Sequence, residues 1–244
     1  MTNFPTSVEF SKHVENLNAV LAALTQFQRA HKRAIRAGDQ PGEQAMRKVH
    51  TLLLGVYAEA RLRKIIRDPT GFSEQERATI WLERSQKDRW LAAVDLAVRR
   101  HYLVLPQQSL SEGLSPDVLA RVDEVKRLLN KDLEPVITDR NRLAHGQWIW
   151  QLASQEDDRF TVAQASYDYN YVALQARFDL LDLIGRLVNA LCVSEPTFTR
   201  DFDALMVRVA KAKTRLGGAG YQDLAAQLRR QRRAGMQKRV GNPE

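Results

Sequence analysis

With one cysteine, Cys192, the chain of 244 residues has no means of forming an intrachain disulfide, and the apolar run around that residue reads as the setting of a buried core thiol. Glycine and proline are also scarce, at 12 and 8. That scarcity, beside abundant Ala, Leu, Arg, Glu and Gln, favours helix over a loop-rich or all-β fold. No stretch approaches the roughly 20 apolar residues that a spanning helix needs, so no membrane is expected as a partner. The start, Met1-Thr2-Asn3-Phe4-Pro5, lacks the basic and apolar regions of a signal peptide. Together these absences predict a cytoplasmic location. Catalytic signatures are missing as well. There is no His-Glu-x-x-His, no Cys/His group at metal-ligand spacing, no Walker loop, no Gly-x-Gly-x-x-Gly and no Gly-x-Ser-x-Gly elbow. No metal and no cofactor are expected, and any phosphoryl chemistry would have to be metal-independent.

What is present is helical periodicity. Phe10, Val14, Leu17, Val20, Leu21, Leu24 and Phe27 predict a helix over 7–37, ended by Gly38-Asp39-Gln40-Pro41-Gly42. A second, over 43–67, carries a broad apolar face from Val49 to Ile65 and is expected at the centre of a bundle. Ser73 and Glu76 have capping-box spacing before a third helix that reads as continuous to His101. A polar connection, 106–115, leads to Ser115-Pro116, a start signal for a helix to 145 that Pro135 should kink or break. The stripe Leu119, Val122, Val125, Leu129, Leu133, Val136 and Ile137, continued in phase, next reaches Arg140 and Ala144. A charge at a core or interface position breaks a local rule, and such breaks gather at functional sites.

Beyond Gly146, Trp148, Trp150 and Leu152 alternate with Gln147, Ile149 and Gln151, and Phe160 and Val162 come next, a short β-hairpin with Ser154–Asp158 as its connection. Helices are predicted over 168–192 and from Ser194-Glu195-Pro196 to Leu216. Gly217-Gly218-Ala219-Gly220 reads as a flexible joint before a last basic helix, Tyr221–Arg233, fraying after Gly235. Expected units are an N-terminal helix packing on the core (1–42), a helical domain (43–192), and C-terminal helices with a basic tail (193–244). The net charge of +8 sits in that tail: ten cations and one acid lie between Arg208 and Arg239, leaving the rest near balance. Such a tail reads equally as a contact for phosphate backbones or as a solvated helix end.

The residues that carry chemistry are Asp139-Arg140-Asn141-Arg142-Leu143-Ala144-His145-Gly146. At about 100° per residue, Asn141 and His145 share a helix face one turn apart, whereas Arg140 and His145 lie about 140° apart. The last two meet if the arginine reaches round, if the helix distorts before Gly146, or if two copies pack across a two-fold axis. His145 has the side chain suited to proton transfer near neutral pH. Arg140 offers a planar fork for a phosphate and for the charge of a pentacoordinate transition state. Asn141 would fix the imidazole tautomer or hold the phosphate. RNA brings its own nucleophile, the 2′-hydroxyl, and cleavage would leave a 2′,3′-cyclic phosphate and a 5′-hydroxyl. The plain alternatives are that His145 only complements a helix dipole and that Arg140 only pairs with a carboxylate. Glu59 reads either as a member of the same cleft or as an ordinary salt-bridge residue. Trp148 and Trp150 are expected to pack in the core rather than stack on bases. His13, His31, His50 and His101 are expected to be structural.

The run Arg140-Asn141-Arg142-Leu143-Ala144-His145, followed by Gly146, resembles the Arg-polar-x-x-x-His signature of the HEPN superfamily. The run from His50 to Leu62 resembles that family's early core helix, and the resemblance spans roughly residues 43–192. It implies an all-α helical bundle that forms a homodimer with a composite active site, the two motifs facing each other. It further implies a metal-independent endoribonuclease of a toxin–antitoxin, abortive-infection or antiviral-defence system, with an antitoxin or defence-system partner. Arg140 and His145 would be the catalytic pair, supported by Asn141. Some HEPN-like domains instead serve as non-catalytic modules that bind RNA, a nucleotide or a protein, and the resemblance leaves that alternative open. The hairpin and the long terminal helices depart from the family pattern.

Overall fold

In the computed structural model, residues 6–154, 157–164 and 167–240 are described. Local cap chemistry sets most boundaries. Helix α1, Thr6–Ala37, stops where Gly38 takes a left-handed φ of 73° that a side chain would resist. Asp39 then caps α2, Gln40–Ile66, accepting the Gly42 N–H at 3.0 Å, with Pro41 in the first turn. Ser73 and Glu76 form the expected capping box of α3, Glu74–Leu82.

The third predicted helix proves to be two. Glu83 leaves helical geometry, and Ser85 opens α4, Gln86–Tyr102, by accepting the Asp88 N–H at 3.0 Å. A short α5, Leu110–Gly113, lies within the predicted polar connection. Helix α6 spans Pro116–Leu128. The regular α-helix is interrupted just before Pro135 and restarts with it in the first turn of the next helix, without a gap between the pieces. A π-helical turn, Leu129–Leu133, in which the Glu134 N–H reaches back to the Leu129 carbonyl, runs directly into α7, Glu134–Ala144. The wider turn absorbs the missing donor and the bulk of the proline ring.

Strands β1, Trp150–Ser154, and β2, Asp157–Gln164, pair antiparallel with an irregular register that sets Leu152 opposite Phe160. Asp157 and Asp158, predicted in the connection, belong to β2, and Gln155 and Glu156 lie outside the described residues. Helix α8, Tyr171–Val193, and α9, Glu195–Thr214, are capped by Asn170 and Ser194. Where a flexible joint is predicted the chain makes a turn: Asn170 Nδ2 donates to the Gly218 carbonyl at 3.1 Å, and Gly218 and Gly220 have φ of 71° and 81°. The last helix, α10, continues past Gly235 to Val240, since one glycine costs less than its helix-forming neighbours return.

The architecture is predominantly helical, with one two-stranded sheet among the described residues. Helix α2 packs against α1, α7 and α8, and α8 in turn against α4 and α9. One apolar core runs from Leu17 and Leu24 of α1 to Val209 and Ala212 of α9 and takes in Cys192, whose thiol burial pushes well above its ordinary range. A smaller cluster of Ile35, Tyr171, Ala225 and Leu228 docks α10 on α1. Among the described residues no helix is long and apolar enough to cross a membrane.

Candidate functional site

The α2–α7 crossing determines where Arg140 goes. A Cβ on Gly55 would stand 2.3 Å from Arg140 Cβ and 2.5 Å from its Cγ, so only glycine admits the arginine stem at this closeness. The stem thus fills an interface position, as the phase of the stripe predicts, while its head emerges to be 31% exposed. There Nη2 donates to Glu59 Oε2 and Nη1 to Asn141 Oδ1, each at 3.0 Å. Glu59 also accepts from Arg63 at 2.8 Å and 3.2 Å. Of the two readings of Glu59, both hold: it reaches the cleft and it is a salt-bridge residue.

His145 is placed by the way α7 ends. Gly146 sits at φ 79°, the Gln147 N–H returns to the Arg142 carbonyl at 2.9 Å, and the Gly146 N–H returns to Leu143 at 3.2 Å. This Schellman closure satisfies the last carbonyls and makes His145 the cap residue. The indole of Trp148 adds a bond to the Leu143 carbonyl at 3.0 Å. Behind the cap, Tyr167 donates to the Gln147 carbonyl at 2.9 Å and ties the base of the hairpin down. The imidazole itself is exposed and has no hydrogen bond or ion pair with another described residue. Further back on α7, Asp139 is buried and accepts from Tyr169 at 3.1 Å; burial holds its carboxyl above the usual range, against that bond and nearby Arg177 and Arg142.

Two adjoining clefts meet at Asn141. A cavity of about 270 Å³ is lined by Asn141, Arg142, His145, Gln147 and the first strand. One of about 420 Å³ is lined by Arg140 and Asn141 together with Glu59, Arg63, Trp81, Arg84, Gln86 and Arg89. The structure therefore brings Arg140 to Asn141 and Asn141 to His145, but Arg140 and His145 open into different clefts of one chain. Neither arginine reach nor helix distortion joins them.

Trp148 and Trp150, expected in the core, are 37% and 42% exposed, and Ile149 at 56% and Phe160 at 63% are exposed apolar residues of the same segment that follows His145. Alternation predicts a strand for both; β1 begins only at Trp150, and both indoles remain partly open. Arg84 and Arg89 were missed because reading one helix through Ser85 hid the corner that turns them toward α7. Of the remaining histidines, His31 and His50 are fully buried, while His13 and His101 are partly buried with pKa lowered chiefly by desolvation. Among the described residues no three His, Cys, Asp or Glu side chains gather as a metal site. No protein family profile, curated protein or solved structure matches the chain.

Proposed function

We propose that the chain is a HEPN-type endoribonuclease that cleaves RNA without a metal and works as a homodimer. The observation that carries the reading is the end of α7. There an exposed imidazole without a partner among the described residues and a braced guanidinium flank one asparagine at the mouths of two adjoining clefts.

In the proposed reaction the RNA 2′-oxygen attacks the adjacent phosphorus, and the bond from phosphorus to the 5′-oxygen breaks. The proton leaves the 2′-hydroxyl as the new bond forms, and the departing 5′-oxygen takes one up. His145 is the group on this chain suited to carry that proton. Arg140 offers its fork to the charge building on the phosphoryl oxygens, stabilisation that counts most when the donor is already held in place. Gly55 and Glu59 hold it.

Because Arg140 and His145 face separate clefts of one chain, the proposal includes a second copy that sets its own motif opposite. The exposed apolar residues Trp148, Ile149, Trp150 and Phe160 of the segment that follows His145 offer material for that contact. A toxin or defence effector, with an antitoxin or other system partner, is the setting the proposal takes from its resemblance.

One observation favours the alternative of a non-catalytic module that binds RNA, a nucleotide or a protein. Arg140 is already paired with Glu59 in the single chain, as a structural arginine would be. The experiment that separates the two is cleavage of a mixed RNA pool in EDTA by wild type, Arg140→Ala and His145→Ala, with product ends mapped. The enzyme reading expects 2′,3′-cyclic phosphates from wild type and none from either variant. Cleavage that survives both substitutions, or a folded wild type that neither cleaves nor loses anything on substitution, overturns it.

A further inference from the structure

The larger cleft gathers more positive charge than its lining neutralises. Arg63, Arg84, Arg89 and Arg140 line it against a single carboxylate, Glu59. Two of the four share one ring: the Arg63 and Arg89 guanidinium carbons lie 5.2 Å and 5.0 Å from the centre of Trp81. Cation–π attraction holds these like charges side by side and fixes their direction. Arg89 is braced further by donating through Nε to the Glu83 carbonyl at 3.0 Å. Arg84 is exposed and has no ion pair or hydrogen bond with another described residue. Gln86 on the same wall buries its amide nitrogen without a partner among the described residues, which leaves one more donor unmatched. The cleft also receives the first turn of α4, a helix of 17 residues whose N-terminal dipole favours an anion.

We infer that this cleft is a phosphate-binding site that anchors the RNA backbone next to the bond presented to His145. The identity of the ligand as RNA rests on the ribonuclease reading; the site's chemistry does not. Several planar guanidinium forks converging on one cleft match the oxygens of a phosphodiester. A volume of about 420 Å³ admits one nucleotide unit. Asn141, which lines both clefts, makes the bound strand continuous with the His145 side.

The test uses the full chain carrying His145→Ala, so that binding is read without turnover. A fluorescent single-stranded RNA is titrated in EDTA at several salt concentrations. Arg84→Ala is then added, with Lys87→Ala, next to the cleft wall in sequence but outside its lining, as the control. Arg84 is exposed and has no partner to lose among the described residues, so folding is not at stake. The expected result is about a five- to tenfold weaker Kd for Arg84→Ala at low salt and a log–log salt slope reduced by about one, with Lys87→Ala unchanged. Equal affinity and slope for the two variants would overturn the inference. A second arm titrates inorganic phosphate and AMP. Arg84-dependent binding of these without Arg84-dependent binding of RNA would assign the cleft to a small phosphoanion and reject the backbone anchor. Arg84-dependent RNA binding with no cleavage by wild type would keep the site and sink the ribonuclease.

Discussion

His50 of α2 and His31 of α1 face each other with ring centres 5.8 Å apart, closed in by Tyr171 and Phe27, and neither has any accessible surface. Further along α2, Gly55 and Glu59 take Arg140 from α7, and that helix ends a turn later with His145 in the open. The same side chain thus occurs in two states within one bundle. In the sealed pair all four ring nitrogens are without a partner among the described residues, so the imidazoles serve as apolar rings and are held neutral. At the end of α7 the imidazole is open to solvent. What decides whether a histidine is available for proton transfer is the helix surface that covers it, not its own chemistry.

Exchanging the two roles by mutation is the strongest way to break that contrast. His145→Ala should lower RNA cleavage by about 10²- to 10⁴-fold while shifting the urea midpoint by less than about 0.5 kcal/mol equivalent. His50→Ala should do the reverse, costing about 2–4 kcal/mol of stability through the cavity it leaves. Similar unfolding losses for both would erase the distinction.

Acid sharpens it next. Desolvation lowers the His50 pKa to about 3, helped by His31. Desolvation also lowers His31 to about 4, with Glu43 opposing and Arg47 assisting. An unfolded histidine titrates near about 6.5, so between there and those folded values the unfolded chain binds more protons. Stability is therefore full above about pH 6.5 and falls on acidification, by up to about 1.4 kcal/mol per pH unit for each ring. Urea midpoints measured from pH 7 to pH 5 should drop, and His50→Phe should flatten the slope. A slope unaltered in that variant would mean the pair is not sealed.

The smallest expected effect tests the bracing of Arg140. Gly55→Ala forces a Cβ to within 2.3 Å of Arg140 Cβ, so the α2–α7 crossing has to open. A loss of about 1–3 kcal/mol is expected in chemical denaturation. A variant as stable as wild type would show that the crossing is looser than its geometry implies.

The features legible in the sequence were the local ones. Ser73 with Glu76, Gly38 before Asp39 and Ser194 before Pro196 act through neighbours a few residues away, and each marks a real boundary. Extending the α6–α7 stripe put Arg140 at an interface, because helical phase carries forward. Its partners could not be found that way: Glu59 is 81 positions distant, and nothing local to Gly55 says which side chain lies across from it. The corner at Ser85 was legible in principle, since Ser85 and Asp88 have cap spacing. Taking Ile80, Trp81, Trp90 and Leu91 together as one helix passes over it. The hairpin tryptophans show the other limit. Alternation tells which residues share a face, and burial depends on whether another element comes to cover it.

The π turn at Leu129–Leu133 winds one residue more into the helix than α geometry would over the same rise. Deleting exposed Asn130 would let that segment return to α winding with α7 still close to its present phase, because the wider turn is what takes up the extra residue. Arg140 would then keep Gly55 and Glu59 as its neighbours. The turn is thus slack in the helix: a residue lost there leaves the motif facing its cleft, whereas one lost from regular α7 before Arg140, such as Thr138, would turn Arg140 by about 100° about the axis.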